Sequence, residues 1–185
     1  MTVQLLHTNG LEFTDLAIGE CYDKGCYLDT EKRDNRIKKV ALKHKHSSVL
    51  EFTNFIFQIE ASTKVLLEMT RHRMANYACK SSRFTLNKSE IVFESTGDHE
   101  IDLLLQLWKG QIESMIREGK SNELTSLMLP QAYQYRWTVQ FNARSLKNFL
   151  DLRLASSAHF HIREVAESMY ATIPDDMKYL FKEQV

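Results

Sequence analysis

The sequence has few cysteines, few prolines and no long apolar run, and each shortage removes a class of protein. Its three cysteines, Cys21, Cys26 and Cys79, show no CxxC spacing and no secretory leader ahead of them. A disulfide scaffold is thereby excluded and a reduced, cytoplasmic protein is expected. No stretch approaches the roughly 18 uncharged apolar residues of a membrane span, so no membrane partner is expected. Only Pro130 and Pro174 break the backbone pattern, and no Gly/Ser-rich linker, low-complexity tract or repeat divides the chain. Residues 1–185 are expected to form a single domain. The charge balance is even, with 24 basic and 24 acidic residues. No global field then attracts nucleic acid or an anionic membrane, and an anionic ligand must be held by a local basic cluster. GxGxxG and GxxxxGK[ST] are both absent, which leaves dinucleotide-binding and P-loop folds unsupported.

What is present reads as an α+β chain. Val3–Leu6 is a short strand closed by the Asn9-Gly10 turn signal, and 11–23 and 31–44 read as helices, the second strongly charged. Phe55, Phe57, Ile59 and Ala61 alternate with Asn54, Ile56, Gln58 and Glu60, the period of a strand with one buried face. Ser62 is placed as the N-cap of a short helix through Val65, Leu66 and Met69 that delivers Arg71-His72-Arg73 at its end. Ile91–Phe93 is a weaker strand candidate. Over 98–118, Ile101, Leu104, Leu105, Trp108, Ile112, Met115 and Ile116 keep helical spacing between an Asp98 cap and a Gly119 stop. Tyr133, Tyr135, Trp137, Val139 and Phe141 give the cleanest alternation, followed by a helix from Asn142 through Arg153 and a last helical region over about 160–182. Alternating rather than continuously apolar strands predict an antiparallel sheet, twisted and flanked by long helices.

Three clusters carry candidate chemistry. Arg71, His72 and Arg73, then Ser81, Ser82 and Arg83 a loop away, combine planar guanidinium forks with hydroxyl donors, a set suited to a phosphate or pyrophosphate. On composition alone, a solvated basic face explains them as well. His44-Lys45-His46, with Ser48 and Glu51 following, suggests metal or cofactor contact, and His159-Phe160-His161 repeats the spacing. Neither pair has a cysteine or carboxylate at a zinc-like spacing, so no metal is expected and surface or capping histidines are the plainer reading. Asn142, Arg144, Asn148, Asp151 and Arg153 form the third cluster: Arg144 and Asn148 share a helix face and Asn142 stands at its start. By itself this is a capped helix with exposed polar residues.

Taken together, the order and spacing of these blocks resemble the flavin-dependent thymidylate synthases. The family's signature, RHR, seven residues, then S with R two further on, reads here Arg71-His72-Arg73-Met-Ala-Asn-Tyr-Ala-Cys-Lys-Ser81-Ser82-Arg83. The stretch Ala41–Glu51 and the block Asn142-Ala-Arg144-Ser-Leu-Lys-Asn148-Phe-Leu-Asp-Leu-Arg153 are similar to the family's flanking blocks, so the resemblance covers about residues 40–165. It implies FAD held by His46, Ser48, Arg71, His72, Arg73, Asn142, Arg144 and Asn148. It implies a deoxyuridylate (dUMP) gripped by Glu68, Arg71, Ser81, Ser82 and Arg83, with Arg153 against the pyrimidine as the catalytic residue. It also implies reductive methylation of dUMP to dTMP, with NADPH as reductant and methylenetetrahydrofolate as one-carbon donor, in a homotetramer whose sites are shared between subunits.

The sequence departs from the family pattern mainly on the nucleotide side. Ala78 and Cys79 stand where asparagine and glutamate are usual, Glu68 where glutamine is typical, Phe84 for tyrosine, and Ser126 where an arginine often helps bind substrate. The departures leave open deoxycytidylate as substrate or a hydroxymethyl product, or compensation by Arg136 or a neighbouring subunit. Cys79 as a thiolate nucleophile is weighed against a small filler residue. A non-catalytic nucleotide- or RNA-binding protein using the same arginines is the alternative of a different class.

Overall fold

The computed structural model describes residues 1–181. Four strands, β1 (Thr2–Thr8), β2 (Asn54–Ser62), β3 (Ala75–Cys79) and β4 (Gln134–Asn142), form one antiparallel sheet in the order β1-β2-β4-β3. The helices are α1 (Glu12–Cys21), α2 (Thr30–Ile37), α3 (Thr63–Met69), α4 (Ser82–Thr85), α5 (His99–Arg117), α6 (Asn122–Thr125), α7 (Ala143–Arg153) and α8 (Phe160–Thr172). The α+β antiparallel expectation holds, although only α5, at 19 residues, is a long helix.

The central pair explains the fold. β2 and β4 are each apolar on alternate residues, and their register sets Phe55 against Phe141, Phe57 against Val139 and Ile59 against Trp137. Phe55, Phe57, Ile59 and Ala61 of β2 and Trp137, Val139 and Phe141 of β4 are therefore buried on one face, with Tyr135 half-buried at its end. Leu146, Phe149 and Leu150 of α7 cover it together with Ile162, Val165 and Met169 of α8 and Val65 and Met69 of α3. Burying each such side chain stabilises by about 1.5–3 kcal/mol, and this face supplies most of the core. β1 and β3 are the edges. β1 carries an irregularity between Leu5 and His7, a common device at an exposed edge.

Several expectations need correction. β3 lies inside the segment read as a loop between the two halves of the arginine–serine motif. The charged helix over 31–44 is α2 followed by a π-helical turn, Lys38–Lys43. Ile91–Phe93 is no strand but a single bridge, Phe93 to Tyr133. Ser62 stands at the start of α3 without a capping bond, its hydroxyl buried and unpartnered; its backbone N–H donates to Glu94 at 2.8 Å instead. After α8 the chain turns through Lys178–Leu180 rather than continuing as helix, and residue 182 of that expectation lies outside the described residues. α5 has the expected helical spacing and Asp98 cap, whose carboxylate accepts from the Glu100 and Ile101 N–H groups. Its apolar stripe, however, fully buries only Ile112; Leu104 is 65% exposed and Ile101 48%.

Candidate functional site

The site grows from the end of β4. Asn142 caps α7, its side-chain oxygen accepting from the Ser145 N–H at 2.8 Å, which satisfies one of the helix's orphan donors. The helix then presents Arg144, Asn148 and Leu152 at four-residue spacing, all on one face. Facing them is the turn from α3 into β3, which carries Arg71, His72, Arg73 and Met74. Tyr77 fixes that turn: its hydroxyl donates to the Met69 carbonyl at 2.6 Å and lies 3.1 Å from the His72 carbonyl. Burial pushes the Tyr77 phenol well above its ordinary pKa, so it stays a donor.

These two walls, with Glu51 between them, enclose a cleft of about 590 Å³. Arg71 and Arg73 are exposed, and neither guanidinium has a partner among the described residues. Arg144 donates to Glu51 at 2.7 Å. A smaller cleft of about 270 Å³ shares Arg73 and Met74 and adds Asn142, Asn54 and Gln140.

Arg153 closes the inner end. Its Nε donates to His72 Nε2 at 3.0 Å, one terminal nitrogen to the Glu68 carboxylate at 3.2 Å, and the other to the Glu68 carbonyl at 3.2 Å. Three of the five N–H groups of its fork are thereby used, leaving two. Burial, and then the Arg153 charge, hold the His72 pKa below its ordinary value. A neutral ring is what accepting from Arg153 requires. The same ring stands edge-on to Phe149 with centroids 4.9 Å apart.

The structure therefore brings together Arg71, His72, Arg73, Arg144, Asn148 and Arg153, with Asn142 in the adjoining cleft. His46, at the cap of the 3-10 turn Ser47–Phe52, and Ser48 within it are exposed and outside the cleft lining; Glu51 of the same turn reaches it. Ser81, Ser82 and Arg83 are not with Arg71. They lie past the far end of β3, whose five residues span about 17 Å at strand rise. There Arg83 pairs loosely with Glu123 at 3.5 Å. A single chain thus does not assemble the expected phosphate grip. Glu68, expected against the nucleotide, is turned to Arg153 and to Lys64 at 3.2 Å, which removes the repulsion its charge would bring.

Ala78 and Cys79 are exposed on β3. Arg136 pairs with Glu60 at 3.5 Å, one residue beyond the Cys79–Trp137 register pair and so at the Ser81–Arg83 end of the strand. Among the described residues no three metal-ligating side chains converge; His161 instead faces Glu94 at 3.9 Å. Tyr77, Met74 and Leu152 join the site without a sequence signal of their own, except that Leu152 keeps the spacing of Arg144 and Asn148.

Comparison with known proteins gives consistent matches. The family model described as thymidylate synthase complementing protein matches residues 7–176. The flavin-dependent thymidylate synthase of Wolinella succinogenes is 33% identical, the match covering 98% of this chain and 97% of that protein. The one from Campylobacter jejuni is 31% identical over 98% and 96%. Among solved structures, thymidylate synthase X from Helicobacter pylori with FAD and dUMP superposes with a TM-score of 0.91 at 26% identity, covering 99% of this chain and 98% of that one. No helix among the described residues is long and apolar enough to cross a membrane.

Proposed function

We propose that this chain, which belongs to the family of thymidylate synthase complementing proteins, is an FAD-dependent thymidylate synthase that methylates dUMP to dTMP in the cytoplasm. Methylenetetrahydrofolate is the one-carbon donor and NADPH the reductant. Residues 1–185 act as one domain. The observation that carries the reading is the cleft between the α3–β3 turn and α7, where Arg71 and Arg73, both unpartnered among the described residues, face Arg144 and Asn148.

The donor set fits FAD. Free guanidinium forks suit its pyrophosphate, while Met74 and Leu152, 70% and 55% exposed on the cleft walls, offer apolar surface for a ring system. Arg71, His72, Arg73, Asn142, Arg144 and Asn148 would hold it, with His46 and Ser48 approaching from the 3-10 turn. When bound, the flavin supplies the redox chemistry. The chain's own contribution is positioning and charge stabilisation. Arg153, oriented by Glu68 and neutral His72, keeps two N–H groups for the pyrimidine, where a fixed cation stabilises negative charge developing on the ring. Glu68 acts through Arg153 rather than on the phosphate.

The nucleotide grip of Ser81, Ser82 and Arg83 is completed in a homotetramer, one subunit bringing the far end of β3 to the arginine turn of another. The exposed apolar stripe of α5 supports such burial between subunits. The test is product analysis. Protein purified with its flavin absorption is incubated with NADPH, methylenetetrahydrofolate and either dUMP or deoxycytidylate, and the nucleotides are weighed by mass spectrometry. A methyl group gained by dUMP is the expected result; a colourless protein that cannot be reconstituted with FAD, or dUMP without a methyl group, overturns the assignment.

A further inference from the structure

A second cleft of about 510 Å³ lies between α1, the following loop, α2 and the π-helical turn, and shares no lining residue with the first. Lys24, Lys32, Lys39 and His44 line it and no carboxylate does. Its one arginine, Arg36, is already neutralised: it holds the fully buried Asp15 through two nitrogens, each at 2.6 Å. The three lysines have no acidic partner among the described residues; nearby Asp29 caps α2 and Asp34 pairs with Arg33.

The cleft also has a fixed aromatic wall. The Tyr27 N–H donates to Asp15 at 2.6 Å, and the Arg36 guanidinium stacks over the Tyr27 ring at 4.2 Å. Tyr22 stands at the same opening, with Ile18 and Val40 as apolar lining. The loop that carries both tyrosines is stapled down. Arg36 donates to the Gly25 carbonyl at 3.0 Å, and the Lys24 N–H donates to Gly19 at 2.9 Å. Gly19 is obligatory there, since a Cβ would come within 2.2 Å of the Lys24 carbonyl.

We infer that this cleft binds a phosphorylated nucleoside, its ring against Tyr22 and Tyr27 and its phosphates among Lys24, Lys32 and Lys39. Resting on the proposed function, the inference identifies the ligand as the phosphate-bearing adenosine end of the reductant. The turn His44-Lys45-His46, with Lys45 at a left-handed φ of 57°, leads from this cleft to the 3-10 turn whose Glu51 lines the first. A dinucleotide anchored here has a path towards the flavin site.

The test titrates adenosine 2′,5′-bisphosphate into the full-length, flavin-loaded protein by calorimetry, with inorganic phosphate and a glutamate tetrapeptide as comparison probes. Wild type is expected to bind the bisphosphate in preference to both. Each of Lys32→Ala and Lys39→Ala should weaken it about tenfold, the scale of one charge-assisted contact. Tyr27→Leu should weaken it without altering flavin content. In stopped flow, the same lysine variants should raise the NADPH concentration needed for half-maximal flavin reduction while leaving its limiting rate. Bisphosphate that binds no better than phosphate, lysine variants that bind like wild type, or preference for the glutamate peptide overturns the inference. Binding is read without turnover, so a failed methylation assay is a separate result.

Discussion

Replacing Arg144 by alanine separates a residue kept for the fold from one kept for a ligand. Among the described residues its partner is Glu51, at 2.7 Å, and the two side chains are 53% and 41% exposed. An exposed pair of this kind contributes about 0–1 kcal/mol. Arg144 also lies in the first turn of α7, where the helix dipole disfavours a cation by about 0.3–1 kcal/mol. The two effects nearly cancel, so the folded chain loses almost nothing with the arginine. A shift of under 0.5 kcal/mol moves Tm by only about 1–2 °C in a chain of this length.

Loss of the ligand contact is far larger. A charge-assisted hydrogen bond to a phosphate contributes about 1.5–3 kcal/mol, which at 1.4 kcal/mol per decade weakens FAD binding roughly 10- to 150-fold. The assay is titration of flavin-stripped protein by quenching of flavin fluorescence, paired with thermal unfolding of the same preparation at one protein concentration. Arg144→Lys should recover only part of the affinity, because it restores charge without the fork. Glu51→Gln, which frees Arg144 from its intramolecular partner, should leave binding intact or tighten it. Unchanged affinity in Arg144→Ala would refute the assignment. So would a Tm drop of several degrees, since Arg144 would then be structural.

Tyr77→Phe removes the donor to the Met69 carbonyl and should cost about 0.5–1.5 kcal/mol; a melt that is unchanged shows that the turn does not depend on it. Because the His72 pKa is depressed in the folded state, the unfolded chain takes up the proton first. Stability should be complete above about pH 6.5 and fall as pH drops through that value towards the folded pKa; His159 shifts in the same direction. His72→Gln, which keeps an acceptor but does not titrate, should flatten part of that slope in melts between about pH 7.5 and 5.5, and an identical slope would show that His72 does not contribute. Arg83→Ala should leave Tm and flavin binding unchanged, as its ion pair is loose and exposed, while weakening dUMP binding about tenfold or more. Mixing Arg71→Ala and Arg83→Ala proteins should give more activity than either alone through hybrid tetramers; no gain on mixing would refute a site shared between subunits.

The parts of the fold legible in the sequence are those where burial is one-sided. β2 and β4 alternate because one face packs on α7 and α8 and the other does not, and the pattern fixes the register of Phe55 with Phe141. β3 was not legible. Its partly buried residues are only Ala75 and Tyr77, too few to mark a strand, and pairing with β4 overrides weak propensity. For α5 the periodicity gave the helix but not its environment, since an apolar stripe has the same spacing whether it meets a core or another subunit. In the site, Arg144 and Asn148 follow from helical spacing alone. Arg153's bonds to Glu68 and His72 do not, because they join residues 81 to 85 positions apart.

The missed strand changes what the arginine–serine motif means. Read as a loop, its two halves close on one phosphate. Read as β3, antiparallel to β4, they are held apart by the sheet: Arg73 stays beside Asn142 at one end, and Ser81–Arg83 stays near Arg136 at the other. Hydrogen bonds to β4 fix that separation, so no loop movement brings the halves together without breaking the edge strand. A net-neutral chain that relies on local clusters for anions therefore carries two half-sites. The first has unpartnered arginines and the second only loose, exposed ion pairs, and the exposed stripe of α5 gives the apolar area that assembly would bury. On the proposed function, the split motif is completed by a second copy of the chain, one copy supplying the arginine turn and the other the serine end of β3.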